Sequence, residues 1–182
     1  MARHPDGVLF PNGHGTVVVF LGKEALLAWF STVRSETHEA VLDRFYELGH
    51  RRASFTTSTY QLVEVFTKVR YDRSADVVTN LYARIGDSDL RVLHGIDDWN
   101  DANQSWPPNE VFQSASELIE ERPRIEFSFP EAALVLALTR ESRNRDVPVY
   151  LFTFDGALAA LADTFDVPVL PYSTPLRDDA GR

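Results

Sequence analysis

Apolar and polar positions along the chain fall into alternating strand-like and helix-like stretches. Val17 to Leu21 is an unbroken apolar run, the pattern of a strand covered on both faces and hence central in a parallel sheet. After a very short connection, Glu24 to Val33 reads as an apolar helix. A second helix over Glu36 to Leu48 places Val41, Phe45 and Leu48 on one face and stops at Gly49. Ala53 to Thr56 is a short strand. A helix then starts in Thr57-Ser58-Thr59 and runs to about Tyr71, burying Leu62, Val65, Phe66 and Val69 with Glu64 beside them. Ser74 caps the next helix, in which Val77, Val78, Leu81 and Ile85 align before Gly86 ends it. Leu90 to His94 is a candidate strand, Gly95 to Pro108 a long polar loop, and Asn109 to Glu121 a further helix.

The most informative stretch is Phe127 to Asp155. Ser128 and Glu131 have capping-box spacing, and Pro130 falls in the first helical turn, where proline is tolerated. Ala132, Ala133, Val135, Leu136 and Leu138 make the helix apolar on most of its surface, so it should be buried. Val147 to Phe152 suits an interior strand, and it delivers Asp155 at its carboxyl end, where open α/β sheets hold ligands. A short helix to about Asp163 and a last strand over Val167 to Leu170 follow. The alternation predicts an α/β fold, a three-layer α/β/α sandwich with a mainly parallel central sheet. Residues 1–15 read as an irregular arm, 16–171 as one domain and 172–182 as a polar tail.

Composition narrows the chemistry. With no cysteine, disulfides and thiolate metal sites are excluded, so any metal must be held by oxygen or histidine ligands. Of the five histidines, His14, His38, His50 and His94 share no metal-ligand spacing. No apolar run approaches the ~20 residues that cross a bilayer, and the polar start lacks a secretion signal, so the expectation is a cytoplasmic protein with no membrane contact. Net charge is -9. Lys23 and Lys68 are the only lysines among 18 basic residues. An acidic, lysine-poor surface resembles that of halophilic proteins, in which screening at molar salt shortens to ~3 Å and leaves local arginines to decide whether a polyanion binds.

Three segments, FTTSTYQLVEVFTKVR, FSFPEAALVLAL and LFTFDGALAALADTFDVPVLP, resemble PIN-domain nucleases in their order and spacing, in particular the VapC-like toxin ribonucleases of toxin-antitoxin pairs. The resemblance covers roughly Thr16 to Pro171. It implies that Glu64, Glu131 and Asp155 gather as catalytic and metal-binding acids around Mg²⁺ or Mn²⁺, that RNA is the substrate, and that the protein is a homodimer with a small antitoxin partner. It also implies an Asp at the end of the first strand, where this chain has Gly22-Lys23-Glu24. Side chains of a strand repeat every second residue, so an extended backbone would send Glu24 to the side Gly22 faces, as a substitute metal ligand, while Lys23 would neutralise part of the site. Carboxylates suit hard cations, and a bound cation activates water for in-line attack on phosphorus.

Other residues carry two readings each. Thr57, Ser58 and Thr153 are cap or turn formers by type and candidates for contacting substrate phosphate. Arg51 and Arg52, with Arg70 and Arg73, form a candidate phosphate-contacting rim or scattered surface charge. Trp99 and Trp106 either stack on bases or pack their own loop. Three functions therefore stand side by side: a metal-dependent endoribonuclease of the toxin type, a weakened or inactive PIN-like module that binds RNA or protein, and a folded partner subunit whose surface serves assembly.

Overall fold

The computed structural model describes residues 17–30, 39, 43, 53–72, 75–93, 108–144 and 148–170. β1 (Val17–Leu21) is buried along its whole length and sits at the centre of a five-stranded sheet. Around it lie β2 (Ala53–Ser58), β3 (Arg91–Leu93), β4 (Val149–Phe152) and β5 (Val169–Leu170), in the order β3-β2-β1-β4-β5. All four pairings are parallel, with Val19 opposite Phe55 on one side and Tyr150 on the other.

Strand alternation divides the interior into two cores. Val17, Val19 and Leu21 face one side, where they meet α1 (Lys23–Phe30), α2 (Thr59–Asp72) and α3 (Ala75–Gly86). Trp29 is its largest buried side chain, stacked on Phe30 at 4.6 Å between ring centroids. Val18 and Phe20 face the other side, against α4 (Pro108–Glu121), α5 (Phe129–Asn144) and α6 (Gly156–Asp163). Helices on both sides cover both faces of β1, which accounts for its unbroken apolar run. This is the α/β/α sandwich that the alternation predicts.

Several boundaries move. β2 continues through Thr57 and Ser58, residues expected to open the following helix, because both still pair with β3. Val77 is exposed on α3, leaving Val78, Leu81 and Ile85 as the contact row. The final strand is shorter than expected: Val167 is a buried core residue ahead of β5 rather than part of it. Glu39 and Asp43, the residues described in the expected second helix, are helical and exposed. The rest of that helix, the Ser74 cap, Val147, the Gly95–Pro107 loop with Trp99 and Trp106, Arg51, Arg52, Arg73, the N-terminal arm and the C-terminal tail lie outside the described residues.

One feature of the topology positions the site. From β1 the chain passes first to β2 on one side and later to β4 on the other, so the carboxyl ends of β1 and β4 flank a switch point, where crevices form in open parallel sheets.

Candidate functional site: an acidic pocket around Lys23

At that switch point β1 ends at Leu21, and Gly22 bridges directly to α1. Its N–H donates to the Phe152 carbonyl at 2.9 Å, and its own carbonyl accepts the Leu26 N–H at 3.0 Å, so this one residue closes the sheet and opens the helix. A Cβ at position 22 would stand 3.0 Å from Thr153 Oγ1 and 3.2 Å from Leu158 Cδ2. Without a side chain, Gly22 makes this approach to β4 free of the tight contacts that a Cβ would bring.

Glu24 reaches the pocket from α1 and not by strand alternation. The extended backbone stops before Lys23, so the two-residue period does not carry Glu24 to the side of Gly22; it lies in the first turn of α1. Helix geometry brings it to the pocket all the same, with Oε1 3.8 Å from Lys23 Nζ.

Lys23 is the centre of the arrangement. Its ammonium donates to Glu64 Oε1 at 2.6 Å and lies 3.6 Å from Glu131 Oε1. The lysine side chain is only 16% exposed, and that of Glu131 only 7%. Glu64 reaches the pocket from α2 and Glu131 from the first turn of α5, and the two helix starts are held together by an edge-on contact of Tyr60 with Phe129 at 5.4 Å. Burial works against the charge of Lys23. The hydrogen bond to Glu64 and the fields of Glu64, Glu24 and Glu131 outweigh it and raise the lysine pKa above its ordinary value.

Glu131 combines two tasks. Its Oε2 accepts the Ser128 N–H at 2.6 Å while Oε1 faces the ammonium. The expected capping box is therefore half formed, because Ser128 Oγ is buried without a protein partner instead of capping the helix in return. Asp155 is the N-cap of α6, its Oδ1 accepting from Ala157 N at 2.8 Å and Leu158 N at 2.9 Å. It makes no ion pair with Lys23, yet its charge reaches Glu24. Burial, first of all, raises the pKa of Glu24, and the carboxylates of Asp155 and Glu131 add to that against the opposing pull of its own backbone N–H and of Lys23. Glu24, Glu64, Glu131 and Asp155 thus meet at one edge of the sheet from four separate segments.

The hydroxyls singled out as phosphate contacts are all buried, and each bonds within the protein. Thr57, fully buried, donates to the Leu21 carbonyl at 3.1 Å and ties β2 to the end of β1. Ser58 Oγ accepts the Gln61 N–H at 3.2 Å in the first turn of α2, and Thr153 Oγ1 accepts the Asp155 N–H at 3.0 Å. These contacts hold the pocket's walls. Arg70, near the end of α2, is exposed.

A divalent cation is what the family resemblance implies for such a pocket, and the described residues do not fit one as they are arranged. No group of three Asp, Glu or His side chains among them is set to hold a metal ion. The ammonium of Lys23 stands within 3.8 Å of three of the four acids, and Asp155 Oδ1 is committed to helix N–H groups. Two carboxylate oxygens, Glu24 Oε2 and Glu64 Oε2, remain buried without a hydrogen-bond partner. Sequence reasoning also missed Gln61, a fully buried amide one turn before Glu64 whose Oε1 and Nε2 find no protein partner. Its polar type at a core position of an apolar stripe was the available signal.

Comparison of the sequence with protein-family models and with curated proteins finds no match. Solved structures of similar fold are found. One is the sarcin-ricin loop cleaving toxin VapC20 of Mycobacterium tuberculosis, with a TM-score of 0.56 and 18% identity over 78% of this chain and 93% of that one. Another is VapBC2 from Rickettsia felis, solved bound to a DNA fragment from its promoter, with a TM-score of 0.53 and 12% identity over 84% of this chain and 96% of that one. At such identities the likeness is one of architecture. This chain has the fold of the VapC toxins, a PIN-like α/β/α sandwich, with four acids and one lysine at the carboxyl edge of its sheet.

Proposed function

We propose that the chain is a ribonuclease of the toxin-antitoxin type, hydrolysing RNA phosphodiesters at the acidic pocket. The observation that carries this reading is the convergence of Glu24, Glu64, Glu131 and Asp155 at the switch point of a VapC-like sheet. Carboxylates there supply an acceptor for the proton of attacking water, and the Lys23 ammonium supplies positive charge for the phosphoryl oxygens. Because one similar fold belongs to a toxin that cleaves the sarcin-ricin loop, structured RNA is the substrate class to try first. A small antitoxin, a second copy of the chain and a cytoplasmic setting are the partners and place we infer with it. Mg²⁺ or Mn²⁺ is the cofactor the resemblance implies, and the assay includes both.

The test is cleavage of a structured RNA by the full chain with each ion and with chelator. Glu131→Gln is informative because Gln can keep the bond to the Ser128 N–H while losing the charge. Cleavage that falls at least about tenfold in Glu131→Gln, as for loss of a general acid-base or electrostatic group, supports the reading. Equal cleavage by wild type and a Glu64→Gln/Glu131→Gln/Asp155→Asn variant removes it.

A second reading, RNA or protein binding without turnover, is favoured by the pair Gly22-Lys23, which puts no carboxylate after β1 and an ammonium among the remaining acids. RNA retained without cleavage in either ion would select it.

A further inference from the structure

Lysine is scarce in this chain, at two of 18 basic residues, and the other, Lys68, is exposed on α2. The pocket holds the remaining one at 2.6 to 3.8 Å from three carboxylates on three different helices. A compact ammonium with rotatable donors can sit between acids approaching from separate directions, whereas the flat fork of a guanidinium matches one carboxylate at a time. In a chain otherwise supplied with arginine, the residue type at position 23 fits the geometry found there.

We propose that Lys23 is the resident cation of the acidic pocket, a tethered ammonium in the place a divalent ion would need, so that metal binds only when this side chain is removed or displaced. Gly22 belongs to the same arrangement, since it adds no carboxylate beside the ammonium. Glu24 Oε2 and Glu64 Oε2, buried and unpartnered, are the oxygens that a metal would gain once the ammonium is gone. The inference concerns the same pocket as the ribonuclease reading and goes beyond it. Its test reads metal and not RNA, so either can fail alone.

The test compares Mn²⁺ binding, by electron paramagnetic resonance of the free ion and by calorimetry, in full-length wild type and Lys23→Met, with Mn²⁺ alone as the probe. Even with the screening of water, an ammonium about 6 Å from a divalent ion weakens its binding by roughly tenfold. The expected result is therefore a single Mn²⁺ site in Lys23→Met at least tenfold tighter than any in wild type, and its loss in Lys23→Met/Glu64→Gln. Equal affinities in the two proteins, or a folded Lys23→Met that gains no site, overturn the proposal. Should Lys23→Met not fold, wild type alone decides: a saturable rise in melting temperature with Mn²⁺ that Glu64→Gln abolishes overturns it, and no such rise upholds it.

Discussion

Glu24 is where the forces of the pocket conflict most sharply. Burial and the neighbouring Asp155 and Glu131 hold its pKa above the ordinary value of 4.5, while Lys23 pulls the other way. An acid whose folded-state pKa is raised costs stability once ionised, and that cost appears as pH rises above the unfolded value. Glu24→Gln should therefore be more stable than wild type at pH 7, with the gain vanishing below pH 4.5. Thermal unfolding at the two pH values checks this, and a less stable variant at pH 7 would mean that the attraction to Lys23 dominates. For Lys23 the sign differs. Its raised pKa adds stability that is complete below 10.5 and is lost only as pH climbs through the higher folded value.

Among the elements, α6 isolates a structural role from a chemical one. Asp155 caps it through two backbone N–H groups, so Asp155→Ala should cost about 0.5–2 kcal/mol in a denaturant titration, while Asp155→Asn, which can still accept, should cost far less. An equal loss in both variants would point to the charge and not the cap. The sequence announced α6, β1 and α5 clearly, because a buried parallel strand, a capped start and an apolar helix each leave a local pattern. Asp155 at the strand exit and Glu131 in a first turn were legible for the same reason. Lys23 beside the acids was expected only through the family resemblance. Its bond to Glu64 spans 41 residues of chain and is set by how α1 and α2 pack, which neither segment's local pattern records. Glu24 was placed by extending a strand that in fact ends at Leu21, and the half-formed box at Ser128 shows that spacing alone does not decide where a hydroxyl points.

Over the whole molecule, the net charge of -9 sets a background of self-repulsion. Salt shortens its range from ~10 Å at 0.1 M to ~3 Å at 1 M. The melting temperature should accordingly rise between these concentrations of KCl, and a fall would show that screened attractions outweigh the repulsion. The short, largely buried contact of Lys23 with Glu64 should resist screening better than pairs at the open surface. The close seat of Gly22 against Thr153 and Leu158 has a consequence for how such a chain can vary. A carboxylate gained at 22 by a single codon change would bring its first carbon to 3.0 Å from Thr153 Oγ1 and 3.2 Å from Leu158 Cδ2, so whether these two side chains can yield a few tenths of an ångström decides whether an acid is tolerated there.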